Sequence, residues 1–224
     1  MRRDTLLFDL DGTMTDSDAL HIEAYRRILA PAPLSVADYR AKVMGATNPA
    51  IMEWMFPGRP VAEHEALSDR KERLFRSLVE HLEPTPGLPA LLAWAGRHGI
   101  RVGVVTNAPR ANAELMLAAL GLGDRFPVLV IGDELARGKP DPLPYLTGLE
   151  RLGSTPERAL AFEDSRSGVR AAAAAGIETI GMRTSLDDAT LRQEGAAWTM
   201  DDFTDRDFLA RLEADFGHPV SAAG

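Results

Sequence analysis

Apolar residues follow two regimes along this chain. Between about residues 17 and 84 they recur every three to four positions, the helical period. Elsewhere they gather into short unbroken runs separated by further helical stretches. The first run, Leu6-Leu7-Phe8, has no polar alternation, the pattern of a strand buried on both faces of a parallel sheet. Similar runs predict strands over 101–106, 127–131, 159–162 and 177–182. Helices are predicted over 88–98, 109–120, 142–152, 166–175 and about 204–214, with Gly99, Gly121 and Gly176 closing three of them. Repeated strand–helix units imply an α/β fold, a Rossmann-like parallel sheet with helices on both faces.

The 17–84 region breaks that rhythm. A helix over 17–30 has Ala19, Leu20, Ile22, Tyr25, Ile28 and Leu29 on its apolar face and is ended by Pro31 and Pro33. Helices over 36–44 and 49–55 stop at Gly45 and at Pro57-Gly58. A long helix over 61–82 carries Leu67, Lys71, Leu74, Leu78 and Leu82 along one stripe and solvated charges elsewhere. Pro84-Thr85-Pro86-Gly87 then reads as a hinge. The expected division is a core domain of 1–16 and 85–224 with an inserted α-helical cap domain of 17–84, set above the carboxyl end of the first strand. The tail 221–224 is expected to fray.

Composition narrows the function classes. The 224 residues are 45% hydrophobic and 26% charged, an ordinary soluble composition with enough chain for a substantial core. A net charge of -8 argues against nucleic acid or an anionic membrane as the main partner. The absence of cysteine excludes disulfides and thiolate metal sites. With no apolar run of membrane-spanning length and no leader ahead of the first strand, the expectation is a cytoplasmic protein, by default a monomer.

The chemistry-bearing residues cluster at predicted strand ends. The first strand delivers Asp9 and Asp11, followed by Gly12, at the sheet edge where open α/β folds bind ligands. Turn formation alone accounts for Asp-x-Asp-Gly, so the case rests on the other strand ends. Thr106-Asn107 follows the second strand and Glu163-Asp164-Ser165 the fourth; both sets suit helix capping, and also anion and cation binding. Four acids converging on one sheet end repel one another without a cation, so charge balance asks for Mg²⁺. Lys139, one of only three lysines, sits in Gly138-Lys139-Pro140-Asp141-Pro142, where a compact ammonium suits a point-charge role near phosphate and carboxylate.

These four segments, in this order, resemble the haloacid dehalogenase-like hydrolase superfamily. More narrowly, the chain is similar to its helical-cap branch of phosphoglycolate phosphatases, sugar-phosphate phosphatases and β-phosphoglucomutase. The resemblance spans nearly the whole chain. It implies an aspartyl-phosphate mechanism in which Asp9 is the nucleophile and Asp11 the general acid and base. Mg²⁺ would be held by Asp9, the Asp11 backbone carbonyl and Asp164, with Glu163 coordinating or ordering a bound water. Thr106, Asn107 and Lys139 would hold the phosphoryl oxygens. The second acid, Asp11, sets the chain apart from dehalogenases. The partner implied is a small phosphorylated metabolite.

Phosphatase and phosphomutase remain the two readings. His21 follows Asp9 at the spacing of the mutases, but many phosphatases of the branch carry it too. Where the mutase pattern has a lysine before a glycine and an arginine three positions beyond it, this chain has Met44-Gly45-Ala46-Thr47-Asn48. That departure favours the phosphatase, with Arg40, Lys42 and Arg59 the basic residues available to compensate. His21 and Asn48 are candidate substrate contacts. Met44, Met52, Trp54 and Met55 either shape the pocket or fill the cap core, the methionines and Trp54 being for the most part core.

Overall fold

The computed structural model describes residues 2–29 and 34–219. Strand β1 (Thr5–Phe8) is flanked by β2 (Arg101–Thr106) and β4 (Ala159–Glu163), β3 (Val128–Ile131) lies beyond β2, and β5 (Glu178–Met182) and β6 (Trp198–Met200) lie beyond β4. All pairings are parallel, with Phe8 opposite Val104 on one side and Phe162 on the other. Because the chain goes from β1 outward to β3 and then crosses back to β4, the sheet reverses direction at β1, leaving a crevice beyond the carboxyl ends of β1 and β4.

The period-two geometry of β1 explains why its run is wholly apolar. Leu6 and Phe8 enter a cluster with α5 (Leu88–Arg97), α6 (Arg110–Ala119) and α10 (Arg206–Phe216). Leu7 enters a second cluster with α7 (Leu143–Leu152) and α8 (Arg166–Ala174). Helices thus cover both faces, as alternating strand–helix units require.

Between β1 and α5 lies a helical insert: α1 (Asp18–Leu29), α2 (Val36–Asp38), α3 (Asn48–Met55) and α4 (Val61–Leu78). It has its own apolar cluster, built on Tyr25, Leu34, Tyr39, Val43, Ile51 and Met52. Its two connections to the sheet run side by side. Thr85 N–H donates to the Met14 carbonyl at 2.8 Å, the Thr85 hydroxyl to Thr13 at 2.8 Å, and the Thr15 hydroxyl to Glu83 at 2.8 Å.

Several element expectations change. The long helix ends at Leu78, not at residue 82, because Leu82 is buried in the sheet's own core and the chain must leave the helix to reach it. The expected helix over 36–44 is α2 followed by a π-helical turn over Tyr39–Val43, closed by Met44 N–H on the Tyr39 carbonyl at 2.9 Å. Strand β6 and helix α9 (Asp188–Gln193) were not foreseen: each is short, and α9 buries only Leu191. The cap side chain that starts α9, Asp187 accepting from Thr190 N–H, was the available signal. The stops at Pro31 and Pro33 and the fraying tail lie outside the described residues.

Candidate active site

The loop after β1 turns at Gly12, whose backbone lies in the left-handed region (φ 74°). A Cβ there would also collide with the Asp164 carboxylate, so the residue type serves turn and neighbour together. Asp9 is held by its own N–H donating to the Phe162 carbonyl at 3.0 Å, an extension of the β1–β4 ladder. After β4, the Ser165 hydroxyl accepts from Gly168 N–H at 3.1 Å and caps α8, so the capping role of that segment is real. Gly168 leaves the space that the Glu163 side chain occupies.

Asp9, Glu163 and Asp164 converge: one carboxylate oxygen from each lies within 4.8 Å of the others, and all three residues are buried. Lys139 is sunk among them. Its ammonium donates to Asp9 Oδ1 at 2.5 Å, Glu163 Oε1 at 2.5 Å and the Val105 carbonyl at 2.7 Å, and lies 5.3 Å from the Tyr145 ring centre. The Tyr145 hydroxyl donates to Glu163 at 2.7 Å. Burial pushes the Asp9 carboxyl up to about 8; Lys139 pulls it back, Glu163 and Asp11 push it further. Burial and then the charges of Asp9 and Glu163 raise Asp164 well above the carboxylate range. Asp164 makes no side-chain hydrogen bond among the described residues. A buried carboxylate with no donor, next to two others and one ammonium, is a hard-oxygen donor set short of positive charge. It fits a small divalent cation such as Mg²⁺.

Asp11 is half-buried and stands apart from that group; its side chain faces the insert. Its Oδ1 accepts from the Ser17 hydroxyl at 2.5 Å and contacts His21 Nε2 at 2.9 Å. Burial alone would raise this carboxyl, but His21, Ser17 and the charge of Lys71 outweigh it and hold it below its ordinary value. The other His21 nitrogen, Nδ1, faces Lys71 Nζ at 2.9 Å. An ammonium only donates, so Nδ1 accepts and Nε2–H donates to Asp11. The ring is stacked on Phe75 with centroids 4.0 Å apart.

Lys71 is the largest omission of the sequence reading. The helical period places it in the apolar stripe of α4, yet it is buried with its ammonium 3.1 and 3.2 Å from the two Glu72 oxygens and 4.6 Å from the Tyr25 ring centre. Glu72 in turn accepts from Asn112 on α6 at 2.6 Å, and Arg76 donates to Asn112 at 2.8 Å. A charge at an inward helical position was the signal that could have found Lys71. Asp18 was also missed; it accepts from Tyr39 at 2.9 Å and from Ser185 at 2.6 Å.

One cavity of about 80 Å³, room for several waters' worth of ligand, joins these groups. Asp9, Asp11, Lys139, Thr106, Asn107, Asp164, His21 and Asn48 all line it. Thr106 uses its hydroxyl to accept from Ala108 N–H at 3.0 Å. The Asn107 amide is engaged with backbone: it donates to Gly45 and Lys139 carbonyls, each at 3.2 Å, and accepts from Lys139 N–H at 3.1 Å. It therefore ties the insert and the Lys139 loop to β2. Met44 lines the cavity, whereas Met52 is buried in the insert's core and Met55 packs against it. Trp54 does neither; it is 39% exposed. Arg40, Lys42 and Arg59 do not line the cavity: the first two border an adjoining outer cleft with Arg166 and Arg170, which shares Met44, Ala46 and Lys139 with the cavity, and Arg59 pairs with Glu63.

A model of the haloacid dehalogenase-like hydrolase family matches residues 3–176. The chain is 35% identical to a phosphorylated carbohydrates phosphatase of Thermotoga maritima, over 87% of this chain and 92% of the relative. It is 30% identical to a β-phosphoglucomutase of Bacillus subtilis, over 79% and 82%. Among solved structures, CbbY from Rhodobacter sphaeroides in complex with xylulose 1,5-bisphosphate superposes with a TM-score of 0.80 at 28% identity, covering 92% of this chain and 96% of that one.

Proposed function

The chain belongs to the haloacid dehalogenase-like hydrolase family and is an enzyme of its phosphoric monoester hydrolase kind; from that premise we propose that it is a Mg²⁺-dependent phosphatase of a small phosphorylated metabolite, working through an aspartyl-phosphate. Residues 17–84 serve as a cap domain over a core of 1–16 and 85–224. The observation that carries the reading is the buried Asp9–Lys139–Glu163–Asp164 group beside Asp11, with Asp11 alone held by the insert.

Asp9, the Asp11 backbone carbonyl and Asp164 would hold Mg²⁺, with Glu163 coordinating or ordering a bound water, and the ion would supply positive charge to the phosphoryl oxygens. An Asp9 oxygen attacks phosphorus; the new O–P bond forms as the bond to the leaving oxygen breaks, and Asp11 gives that oxygen a proton. In the second step Asp11 takes a proton from water, whose oxygen displaces Asp9 and releases phosphate. The low-lying carboxyl of Asp11 suits the second step; the arriving phosphate dianion raises it for the first. Lys139 offsets charge throughout the transfer. His21, fixed between Asp11 and Lys71, sets the direction in which Asp11 presents its free oxygen.

The mutase alternative has relatives in its favour. It is disfavoured because the three basic residues available for a second phosphate lie outside the cavity. The test is phosphate release from a panel of phosphorylated metabolites, with Mg²⁺ and with EDTA, including β-glucose 1-phosphate. The expected result is Mg²⁺-dependent phosphate release that falls by roughly 10⁴-fold or more in Asp9→Asn. Glucose 6-phosphate accumulating from β-glucose 1-phosphate, with a bisphosphate primer and little free phosphate, would replace the phosphatase by the mutase.

A further inference from the structure

The cavity has two ends, and their charges can be counted separately. At the Asp9 end, Lys139 is fully engaged by Asp9 and Glu163. At the far end, beneath α1 and α4, the single cation among the lining residues is Lys71. Both oxygens of Glu72 lie against its ammonium, so its charge is cancelled where it stands. Asp18, which also lines the cavity, accepts from the Tyr39 and Ser185 hydroxyls and lies toward Asp164, not toward Lys71. The remaining cations nearby, Arg40 and Lys42, face the outer cleft.

This end therefore offers hydrogen-bond acceptors at Glu72 and no free positive charge. A hydroxyl entering it finds acceptors. A second phosphate or a carboxylate meets the Glu72 carboxylate and a cation already paired with it, in a site where burial makes like charges costly. We propose that Glu72 is a specificity-determining residue that makes the pocket select phosphate esters of neutral polyols and reject substrates carrying a second anion. The proposal rests on the phosphatase reading and narrows it. Asn112 gives it a further physical feature: the group that reads the leaving alcohol is held from the core helix α6 as well as by Lys71, so docking of insert on core adds a bond to Glu72.

Substrate pairs that differ by one anionic group test it. Glycerol 3-phosphate and 3-phosphoglycerate exchange a CH₂OH for a carboxylate at constant length; fructose 1-phosphate and fructose 1,6-bisphosphate differ by one phosphate. For the unaltered enzyme, kcat/KM is expected to favour the neutral member by roughly 10²-fold or more in both pairs. Glu72→Gln keeps the shape and an acceptor but removes the charge, and Lys71 is then free to meet an anion. It should narrow both ratios at least tenfold, an effect that simple loosening of α4 does not produce. Equal rates on the two members, or a ratio unmoved by Glu72→Gln, would overturn the proposal. The same pairs titrated calorimetrically onto the Asp9→Asn protein with Mg²⁺ give the ratio of Kd values without turnover. If no monoester is hydrolysed, that ratio compared with the one for Asp9→Asn/Glu72→Gln still decides about Glu72 while the phosphatase reading falls. If the Glu72 variant does not fold, equal Kd values for the two members of each pair on Asp9→Asn would still overturn the proposal.

Discussion

Lys139 and Lys71 are both sunk in one cavity, both lie over a tyrosine ring, and both face carboxylates, yet their surroundings move them in opposite directions. Burial disfavours the charge on each. At Lys139 the carboxylates of Asp9 and Glu163 outweigh burial and raise the ammonium above its ordinary value. At Lys71 burial wins over Glu72 and Asp11 and the ammonium lies below it. The difference is one of ratio. The core end sets one lysine among three carboxylates and is left wanting a cation; the insert end pairs one lysine with one contacting carboxylate and is close to neutral. One end is built to take a metal and a phosphoryl group, the other to take something uncharged.

The most forceful way to break this contrast is to remove each lysine. Lys139→Met leaves Asp9 and Glu163 buried without their shared donor, and should cost about 3–5 kcal/mol of stability together with phosphatase activity. Lys71→Met leaves Glu72 its bond from Asn112, and should cost about 1–3 kcal/mol. Urea denaturation of both variants in EDTA gives the order. A larger loss at Lys71 would mean that the insert end, not the core end, holds the more strained charge.

A second measurement sharpens the claim that the core end lacks positive charge. Asp9 in the folded chain titrates near 8 against an ordinary value of 3.8, so the folded state keeps a proton that the unfolded state releases. The contribution is favourable below the ordinary value and is lost as pH rises toward 8. Mg²⁺ competes for the ionised form and should reverse that loss. Its stabilisation, about 2.7 kcal/mol at a hundred times Kd, is expected to grow from pH 5 to pH 8. Thermal melts with Mg²⁺ and with EDTA at each pH measure the gap. A gap that does not widen with pH would remove the metal from this end.

The same contrast explains what the sequence disclosed. Residues at the core end follow buried strands, and in a parallel sheet strand ends converge whatever the connecting loops do. Asp9, Thr106, Glu163 and Asp164 could be brought together on paper from the runs that precede them, and Lys139 from its isolation among arginines. The insert end has no such geometry. Helical period tells which positions of α4 point inward and counts Lys71 among them, but not what its ammonium meets, and Glu72 beside it reads as one more solvated charge. Nothing in the sequence marks the extra residue of the π-helical turn at Tyr39–Val43, which precedes the cavity-lining segment from Met44 to Ala46. Trp54 shows the converse: a large aromatic in a helix predicts burial, and this one is exposed.

The smallest effect is the most discriminating. Asn112, buried on α6, donates to Glu72 and accepts from Arg76, so it joins the core to α4 through two charge-assisted bonds. Asn112→Ala removes both while Glu72 keeps Lys71 and Arg76 stays half-exposed, so the cost to stability should be about 1 kcal/mol, the low end for a lost buried partner. If the insert end only reads the leaving group, the variant weakens the closed arrangement that brings Glu72 to the substrate. KM should then rise roughly three- to tenfold on a neutral polyol phosphate with kcat within about a factor of two, the pattern of lost uniform binding. Asn112→Asp, which sets a carboxylate against Glu72, should do worse than alanine. A hundredfold fall in kcat at unchanged KM would instead carry the effect through Lys71 and His21 to Asp11. The two ends would then act as one charge network, and the neutrality of the insert end would be a property of the chemistry and not of substrate choice.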